Sequence, residues 1–224
     1  MRIRKRDIPF VTALVLLAVS LIFTVLVKLV DVQAVGPQGT SVGFAGLNKA
    51  FSDLVGTNMF LYKVTQLLGY LALAVVAFFG FGGMLQLVKR KSVLKVDREL
   101  RAAGVLYVIV LALYVFFEKV VVNYRPVIMP DETAPEASFP SSHTLLACVV
   151  FGSAIILADT YVRSDKARKI VKLVFAALTV IMVIGRLFSG VHWITDIVAG
   201  LLFSACLISA FKGIADLPEP RRRN

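Results

Sequence analysis

Six long runs of apolar residues alternate with shorter polar segments along this chain of 224 residues. Each run has, or approaches, the roughly 18–20 apolar residues that an α-helix needs to cross a bilayer. None of them shows the alternation of period two that marks a transmembrane β-barrel strand. The pattern therefore predicts an all-α fold, an integral membrane bundle of six transmembrane helices. The predicted spans are about residues 9–30, 62–87, 102–122, 142–161, 170–188 and 192–212.

Composition excludes a soluble protein. The chain is 58% hydrophobic and its mean hydropathy is +0.82, more apolar surface than a soluble domain of this length can bury. We expect residues 1–224 to form a single membrane domain. The first run could also be a signal peptide, but it exceeds the usual apolar core of roughly 7–15 residues, which favours an uncleaved anchor. Cys148 and Cys206 lie inside apolar runs and are expected to be small core residues.

The formal net charge of +11 is explained by the predicted membrane topology and does not indicate a nucleic-acid partner. Basic residues collect in every second connection, which the positive-inside rule places in the cytoplasm. Both termini are then cytoplasmic, and the other connections face outward from a plasma membrane. Contacts with anionic lipid account for the remaining charge, so the bilayer is an expected partner and nucleic acid is not. The basic segments are residues 1–6, 89–101, 163–172 and 212–223, and the outward ones are 31–61, 123–141 and 189–191.

The first outward connection contains apolar residues at helical spacing. They predict a short amphipathic helix at about 42–56, lying on the membrane surface. A loop packed on the bundle is the alternative, and the sequence leaves both open. The residues concerned are Phe44, Leu47, Phe51, Leu54 and Val55.

One of the two histidines lies in "GRLFSGVHWITDIVAG". Asp196 follows His192 by four residues, and positions four apart share a helix face. Asp196 can therefore bond one imidazole nitrogen and leave the other with a free lone pair, the arrangement of an oriented nucleophile or base. Arg186 precedes His192 by six residues, and the intervening turn would bring it over the same pocket.

The other histidine lies in "SFPSSHT", where Pro140, Ser141 and Ser142 predict the start of a helix. His143 in its first turn could protonate a leaving oxygen. Such a cluster is usually only a helix cap, and a lone arginine usually reaches to lipid headgroups. Here, however, the clusters fall on one predicted side of the membrane. With Lys119 and Arg125 they predict a site for an oxyanion, above all phosphate.

Residues 118–196 resemble the three motifs of the type 2 phosphatidic acid phosphatases, a lipid phosphate phosphatase family whose active site is shared with vanadium haloperoxidases. The family motifs are a Lys separated by six residues from Arg-Pro, a Pro-Ser-Gly-His, and a Ser-Arg followed after five residues by His and after three more by Asp. The corresponding residues here are Arg125-Pro126, Pro140-Ser141-Ser142-His143, and Gly185-Arg186 with His192 and Asp196. The six predicted spans extend the likeness to nearly the whole chain.

The resemblance implies a membrane phosphatase without metal or cofactor. His192, oriented by Asp196, would attack phosphorus and form a phosphohistidine, and His143 would protonate the leaving group. The implied ligands of the phosphate are Arg125, Arg186, Ser141, Ser142 and Lys119. The first choice of substrate is a polyprenyl diphosphate such as the undecaprenyl carrier, and the alternatives are phosphatidylglycerophosphate and phosphatidic acid. A lipid transporter or binding protein of the same fold is a further alternative, as is a Ser–His hydrolase, although no Gly-x-Ser-x-Gly turn surrounds the serines.

Three positions depart from the motifs. Gly185 replaces a Ser, Ser142 replaces a Gly, and the position of the Lys holds Glu118, with Lys119 one residue later. In a regular helix Glu118 would share the face of Arg125, and Lys119 would point away. The favoured solution is that the helix tightens or breaks in "VVVNY" and turns Lys119 into the pocket. The alternative is that Glu118 stays on that face and pairs with an arginine.

Overall fold

The computed structural model describes residues 4–130 and 132–218. Seven α-helices lie within these residues, and six of them are long and apolar enough to span a membrane. This confirms the prediction of an all-α bundle with six transmembrane helices. The helices are α1 (Ile8–Leu29), α2 (Ala45–Val55), α3 (Met59–Arg90), α4 (Arg98–Lys119), α5 (Ser142–Tyr161), α6 (Asp165–Phe188) and α7 (Ile194–Ala215).

Side-chain caps define where three of the long helices begin. The side chains of Asn58, Ser141 and Ser164 accept hydrogen bonds from backbone amides in the first turns of α3, α5 and α6. Such caps satisfy amides that would otherwise have no partner at a helix start. Helix α4 ends at Lys119, three residues before the predicted end of the third span.

Helices α5 and α7 form the centre of the bundle, and α1, α3, α4 and α6 surround them. Small residues let the two central helices approach closely. A side chain at Gly200 would lie 3.1 Å from Cβ of Thr144, and one at Gly152 would lie 3.0 Å from Cδ1 of Ile208. This contact aligns the N-terminal ends of α5 and α7, where the two histidine motifs begin.

The predicted amphipathic helix is present as α2, within the predicted range 42–56. It is attached to the first turn of α7, since Nδ2 of Asn48 donates to Oγ1 of Thr195 at 3.0 Å. The ring of Phe51 lies near that of Phe188, with centroids 6.4 Å apart. Leu54 remains 82% exposed, so part of the apolar face points outward. The helix therefore packs on the bundle, and its place at a membrane surface stays a prediction.

Cys148 and Cys206 are both free and buried, in α5 and α7, as the sequence predicted. Many of the apolar side chains of α1, α3, α4 and α6 are instead exposed on the outside of the bundle. In a membrane protein this surface faces lipid tails, which are as apolar as the side chains themselves.

Candidate active site

His192 lies in the turn between α6 and α7, and a glycine makes this turn possible. Gly190 has a φ of +67°, and a Cβ there would lie 1.8 Å from the carbonyl oxygen of Gly56. The amide of Asn58 donates to the carbonyl of Ser189 at 2.9 Å, which ties the turn to the segment before α3. His192 is held inside this structure and is only 3% exposed.

Asp196 is next to His192, but the two side chains are not hydrogen-bonded. Oδ2 of Asp196 lies 3.7 Å from Nδ1 of His192 and accepts from the amide of Trp193 at 3.0 Å. Its Oδ1 accepts from Nδ2 of Asn123 at 3.3 Å. The sequence predicted the adjacency correctly. The direct bond is not formed, because the carboxylate is engaged by its own helix start and by Asn123.

The environment of His192 keeps the imidazole neutral. Burial lowers the pKa of His192 well below its usual value, and the positive charges of Arg125 and Arg186 lower it further, while the backbone of Ser138 opposes them. Neither ring nitrogen has a hydrogen-bond partner among the described residues. A neutral imidazole with an unengaged nitrogen retains the lone pair that a nucleophile requires.

His143 lies in the first turn of α5, as predicted, and it packs against a glycine of α3. A Cβ at Gly69 would lie only 2.9 Å from Cδ2 of His143, so this helix crossing requires the absence of a side chain. Nδ1 of His143 has no hydrogen-bond partner among the described residues. The imidazole can therefore give or take a proton without first breaking a bond to the protein.

Ser141 and Ser142 have different positions. Ser141 is fully buried, and its Oγ accepts from the amide of Thr144 at 3.5 Å and from Oγ1 of Thr144 at 3.0 Å. It does not line the cavity described below, because as the N-cap of α5 its hydroxyl is engaged by the first turn of that helix, and its binding of phosphate stays a prediction. Ser142 does line that cavity.

Arg186 is held at the end of α6 by two residues of α3. Arg186 is completely buried, with Nη2 donating to Oε1 of Gln66 at 3.0 Å and the guanidinium 5.0 Å from the ring centre of Tyr62. Its Nε and Nη1 have no partner among the described residues. Buried donors without acceptors are costly, and a bound oxyanion would satisfy them.

Arg125 is attached to the loop that leads into α5. Its amide donates to the carbonyl of Glu136 at 2.9 Å, and its Nε lies 2.9 Å from Oε2 of the same residue. Nη1 reaches the carbonyl of Val191 at 3.5 Å, directly before His192. The side chain therefore connects this loop with the turn that carries His192.

A cavity of about 510 Å³ joins these groups. Its polar and charged lining consists of His143, His192, Arg125, Ser138, Ser142, Gln66 and the carboxylates Glu118 and Glu136. Its remaining wall comes mainly from apolar and aromatic residues of α3, α4 and α5. Arg186 and Asp196 do not line it but stand directly behind Gln66 and His192. The cavity thus combines a polar end, which holds both histidines and Arg125, with an apolar part.

Lys119 is not at the cavity, contrary to the favoured prediction. Helix α4 continues to Lys119, and the chain leaves the helical conformation only at Val120. The break therefore comes too late to turn Lys119 inward, and its side chain is exposed. Glu118, one residue earlier and about 100° away around the helix, lines the cavity instead.

The structure also gives a reason for Gly185 in place of the family serine. A Cβ at Gly185 would lie 2.6 Å from Cγ2 of Thr65. The methyl group of Thr65 in α3 therefore occupies the space that a side chain at position 185 would need, and the two positions are complementary.

Three residues near the site were missed by the sequence analysis. Asn123 is fully buried, donates to Oδ1 of Asp196 at 3.3 Å and accepts from the amide of Gly43 at 3.2 Å. The other two are Glu136, which pairs with Arg125, and Gln66, which accepts from Arg186. A polar residue beside or inside an apolar run was the available signal for Asn123 and Gln66.

The model of the PAP2 superfamily matches residues 99–216, more than half of the chain and a range that includes both histidines. The chain is 31% identical over 90 residues to phosphatidylglycerophosphatase B of Bacillus subtilis (strain 168), over 40% of this chain and 44% of that protein. The match therefore spans less than half the length of that curated relative.

A solved structure provides a likeness over almost the whole chain. It is the crystal structure described as the first transmembrane PAP2 type phosphatidylglycerolphosphate phosphatase from Bacillus subtilis. The TM-score is 0.63 at 19% identity, covering 90% of this chain and 94% of that one, and at this identity the likeness shows a shared fold. The family match and the fold together confirm the resemblance indicated by the three motifs: the chain belongs to the PAP2 superfamily.

Proposed function

We propose that this protein is a membrane phosphatase that removes the phosphoryl group from a lipid phosphate. The observation that carries the proposal is the composition of the cavity. Its polar end holds both histidines and Arg125, and its apolar part reaches the outside of the bundle between α3 and α4. Tyr70 and Leu111 line it while remaining 64% and 60% exposed on that surface. A ligand with a phosphate head and a hydrocarbon chain fits both parts.

The geometry supports a reaction in two steps. In the first, the neutral imidazole of His192 attacks phosphorus, a nitrogen–phosphorus bond forms, and the ester oxygen leaves with a proton from His143. In the second, His143 removes a proton from water, and the oxygen of that water displaces His192 to release inorganic phosphate. Asp196 balances the positive charge that His192 acquires during attack. Arg125 and Arg186 neutralise the phosphoryl oxygens.

The preferred substrate is a glycerolipid phosphomonoester such as phosphatidylglycerophosphate or phosphatidic acid. The name of the Bacillus relative favours this class over the polyprenyl diphosphate that was the first choice from sequence. Purified protein should be assayed for phosphate release from both classes of lipid. We expect release from at least one of them and none from the His192→Ala variant. Full activity in that variant, or no release from any lipid phosphate, would refute the proposal.

The proposed role of His143 can be tested through the leaving group. The His143→Ala variant should be severely impaired toward alkyl phosphates and much less toward an aryl phosphate with an acidic phenol, which leaves without protonation. Equal losses for both substrates would argue against His143 as the acid.

We also propose that the reaction needs no metal ion, because Arg125 and Arg186 can supply the positive charge around the phosphoryl group. Vanadate, which mimics phosphate, should inhibit. Loss of activity in a chelator, followed by recovery with a divalent cation, would contradict this proposal.

The site is proposed to face outward from the plasma membrane. The end of the bundle opposite the histidines carries the basic connection between α3 and α4. There Tyr161, at the end of α5, donates to Asp97 at 3.0 Å, and Nη2 of Arg98 donates to the carbonyl of Leu217 at 2.6 Å. The 20 residues of α5 separate this end from His143 by about 30 Å, roughly the thickness of the hydrocarbon core. The positive-inside rule assigns the basic end to the cytoplasm.

A further inference from the structure

Two carboxylates line the same cavity as the histidines, and the proposed reaction uses neither of them. Glu118 comes from the last turn of α4, and Glu136 from the loop before α5. Among the described residues that line the cavity, Arg125 is the only Lys or Arg. The cavity wall therefore carries more negative than positive side chains, which is unexpected for a site that receives an anion.

Glu136 is held against Arg125 by the backbone. Tyr124 and Ala137 form an antiparallel bridge, and the amide of Arg125 donates to the carbonyl of Glu136. This places Oε2 of Glu136 2.9 Å from Nε of Arg125, while the two side chains are 40% and 12% exposed. The carboxylate covers the Nε edge of the guanidinium, and Nη1 also reaches the carbonyl of Val191, so the remaining donor positions suit a single phosphoryl group.

Glu118 lines the same cavity from the last turn of α4. It occupies the position that holds Lys in the family motif, and the neighbouring Lys119 lies outside the cavity. A phosphatase with a lysine here would have a third cation for additional phosphate charge. This protein has a carboxylate, which repels additional negative charge within the cavity.

A lipid diphosphate would need that additional charge to be neutralised. When its terminal phosphorus is at His192, the second phosphoryl group lies between the first and the hydrocarbon chain. Because the chain leaves through the apolar part of the cavity, both phosphoryl groups must fit in the cavity that Glu118 and Glu136 line. A phosphomonoester brings only the one group that Arg125 and Arg186 can neutralise.

We propose that Glu118 and Glu136 make this protein selective for lipid phosphomonoesters over lipid diphosphates. The inference rests on the proposed function, since it requires that the site hydrolyses lipid phosphates at all. Neither carboxylate takes part in bond making or breaking; both act by disfavouring the second phosphoryl group.

The test compares two substrates that differ only in the second phosphoryl group, phosphatidic acid and diacylglycerol diphosphate with identical acyl chains. The value of kcat/KM for each is measured for the wild-type protein and for Glu118→Gln, Glu118→Lys and Glu136→Gln. We expect the wild type to prefer the monophosphate. Each variant should shift the ratio toward the diphosphate, and Glu118→Lys should shift it most, by roughly tenfold or more.

Glu132→Gln is the matched control. It removes a carboxylate from the same loop, but Glu132 is exposed and does not line the cavity, so the ratio should not change. Glu118 is exposed and its Gln variant preserves the shape of the side chain, so the fold should persist.

The selectivity inference is wrong if the wild type prefers the diphosphate, or if the ratio is the same in the wild type, Glu118→Lys and Glu136→Gln. These results leave the proposed function intact, since phosphate is still released. A wild-type protein that releases phosphate from neither lipid would instead refute the proposed function, and the selectivity with it.

Discussion

The carboxylate of Asp196 lies 3.7 Å from Nδ1 of His192, yet its hydrogen bonds go to the amide of Trp193 and the side chain of Asn123. The acid is therefore held in position independently of the histidine it faces. His192 in turn is positioned by burial and by the tight turn at Gly190. In the proposed reaction His192 becomes positively charged during attack on phosphorus, and Asp196 is the counter-ion already fixed 3.7 Å from its Nδ1.

Replacement of Asp196 by asparagine tests this arrangement. Asn keeps the size of the side chain and can still accept from the amide of Trp193, but it cannot balance an imidazolium. We expect kcat to fall by roughly 10³–10⁴-fold with little loss of folded protein, as in other Asp–His pairs. Asp53→Asn is the control, because Asp53 pairs only with Lys49 on the exposed face of α2. Similar activity in the two variants would show that the Asp196 charge is not needed.

Two glycines of α3 provide a matched pair for testing how His143 is positioned. A Cβ at Gly69 would lie 2.9 Å from Cδ2 and 3.2 Å from Nε2 of His143, whereas one at Gly80 has no neighbour within 4 Å. Gly69→Ala should displace the imidazole and lower kcat by roughly tenfold or more for an alkyl phosphate, since small misplacements of catalytic groups are costly. Gly80→Ala should leave kcat for the same substrate unchanged. Equal kcat values in the two variants would mean that His143 has room to adjust or has no part in the reaction.

The bundle of six transmembrane helices could be predicted from the sequence because each helix is specified by residues close together in the chain. The length of an apolar run sets the span, and a capping residue such as Ser141 sets the start of a helix. The histidine motifs were also found from spacing alone, since Asp196 lies one turn after His192. These features depend on residues close together in the chain.

The parts that were missed depend on contacts between distant segments. The pairing of Arg125 with Glu136 follows from backbone pairing across a loop, and Asn123 bonds residues of α7 and of the segment before α2. The prediction for Lys119 failed for a different reason. It assumed that a phosphate site needs a third cation near Arg125, whereas α4 ends at Lys119 and Glu118 lines the cavity together with Arg125. The alternative, a pairing of Glu118 with an arginine, is not present among the described residues, because Arg125 pairs with Glu136.

The proposed topology can be tested with single cysteines. Cys148 and Cys206 are buried and should give little background with an impermeant thiol reagent. A cysteine at Glu132, exposed in the loop before α5, should be labelled in intact cells or spheroplasts, and one at Lys95, exposed between α3 and α4, should be labelled only after lysis. The reverse pattern would place the site on the cytoplasmic side, and with it the accessible pool of lipid phosphate.

The buried, neutral state of His192 should make the stability of the protein depend on pH. In the unfolded chain this imidazole has a pKa of about 6.5. In the folded protein, burial and the charges of Arg125 and Arg186 hold its pKa well below that value. Between the two pKa values the unfolded state binds a proton that the folded state does not. The stabilisation is therefore complete above about pH 6.5 and is lost as the pH falls from there toward the folded pKa.

Thermal unfolding in detergent at pH 7.5 and pH 5 measures this effect. The wild-type protein should lose up to about 1.4 kcal/mol per pH unit below pH 6.5 through His192 alone. The His192→Gln variant has no titrating group at this position, so its Tm should fall less over the same interval. Parallel Tm curves would mean that His192 is protonated in the folded state at pH 5, so that its nitrogen would not be free to attack phosphorus in mildly acidic conditions.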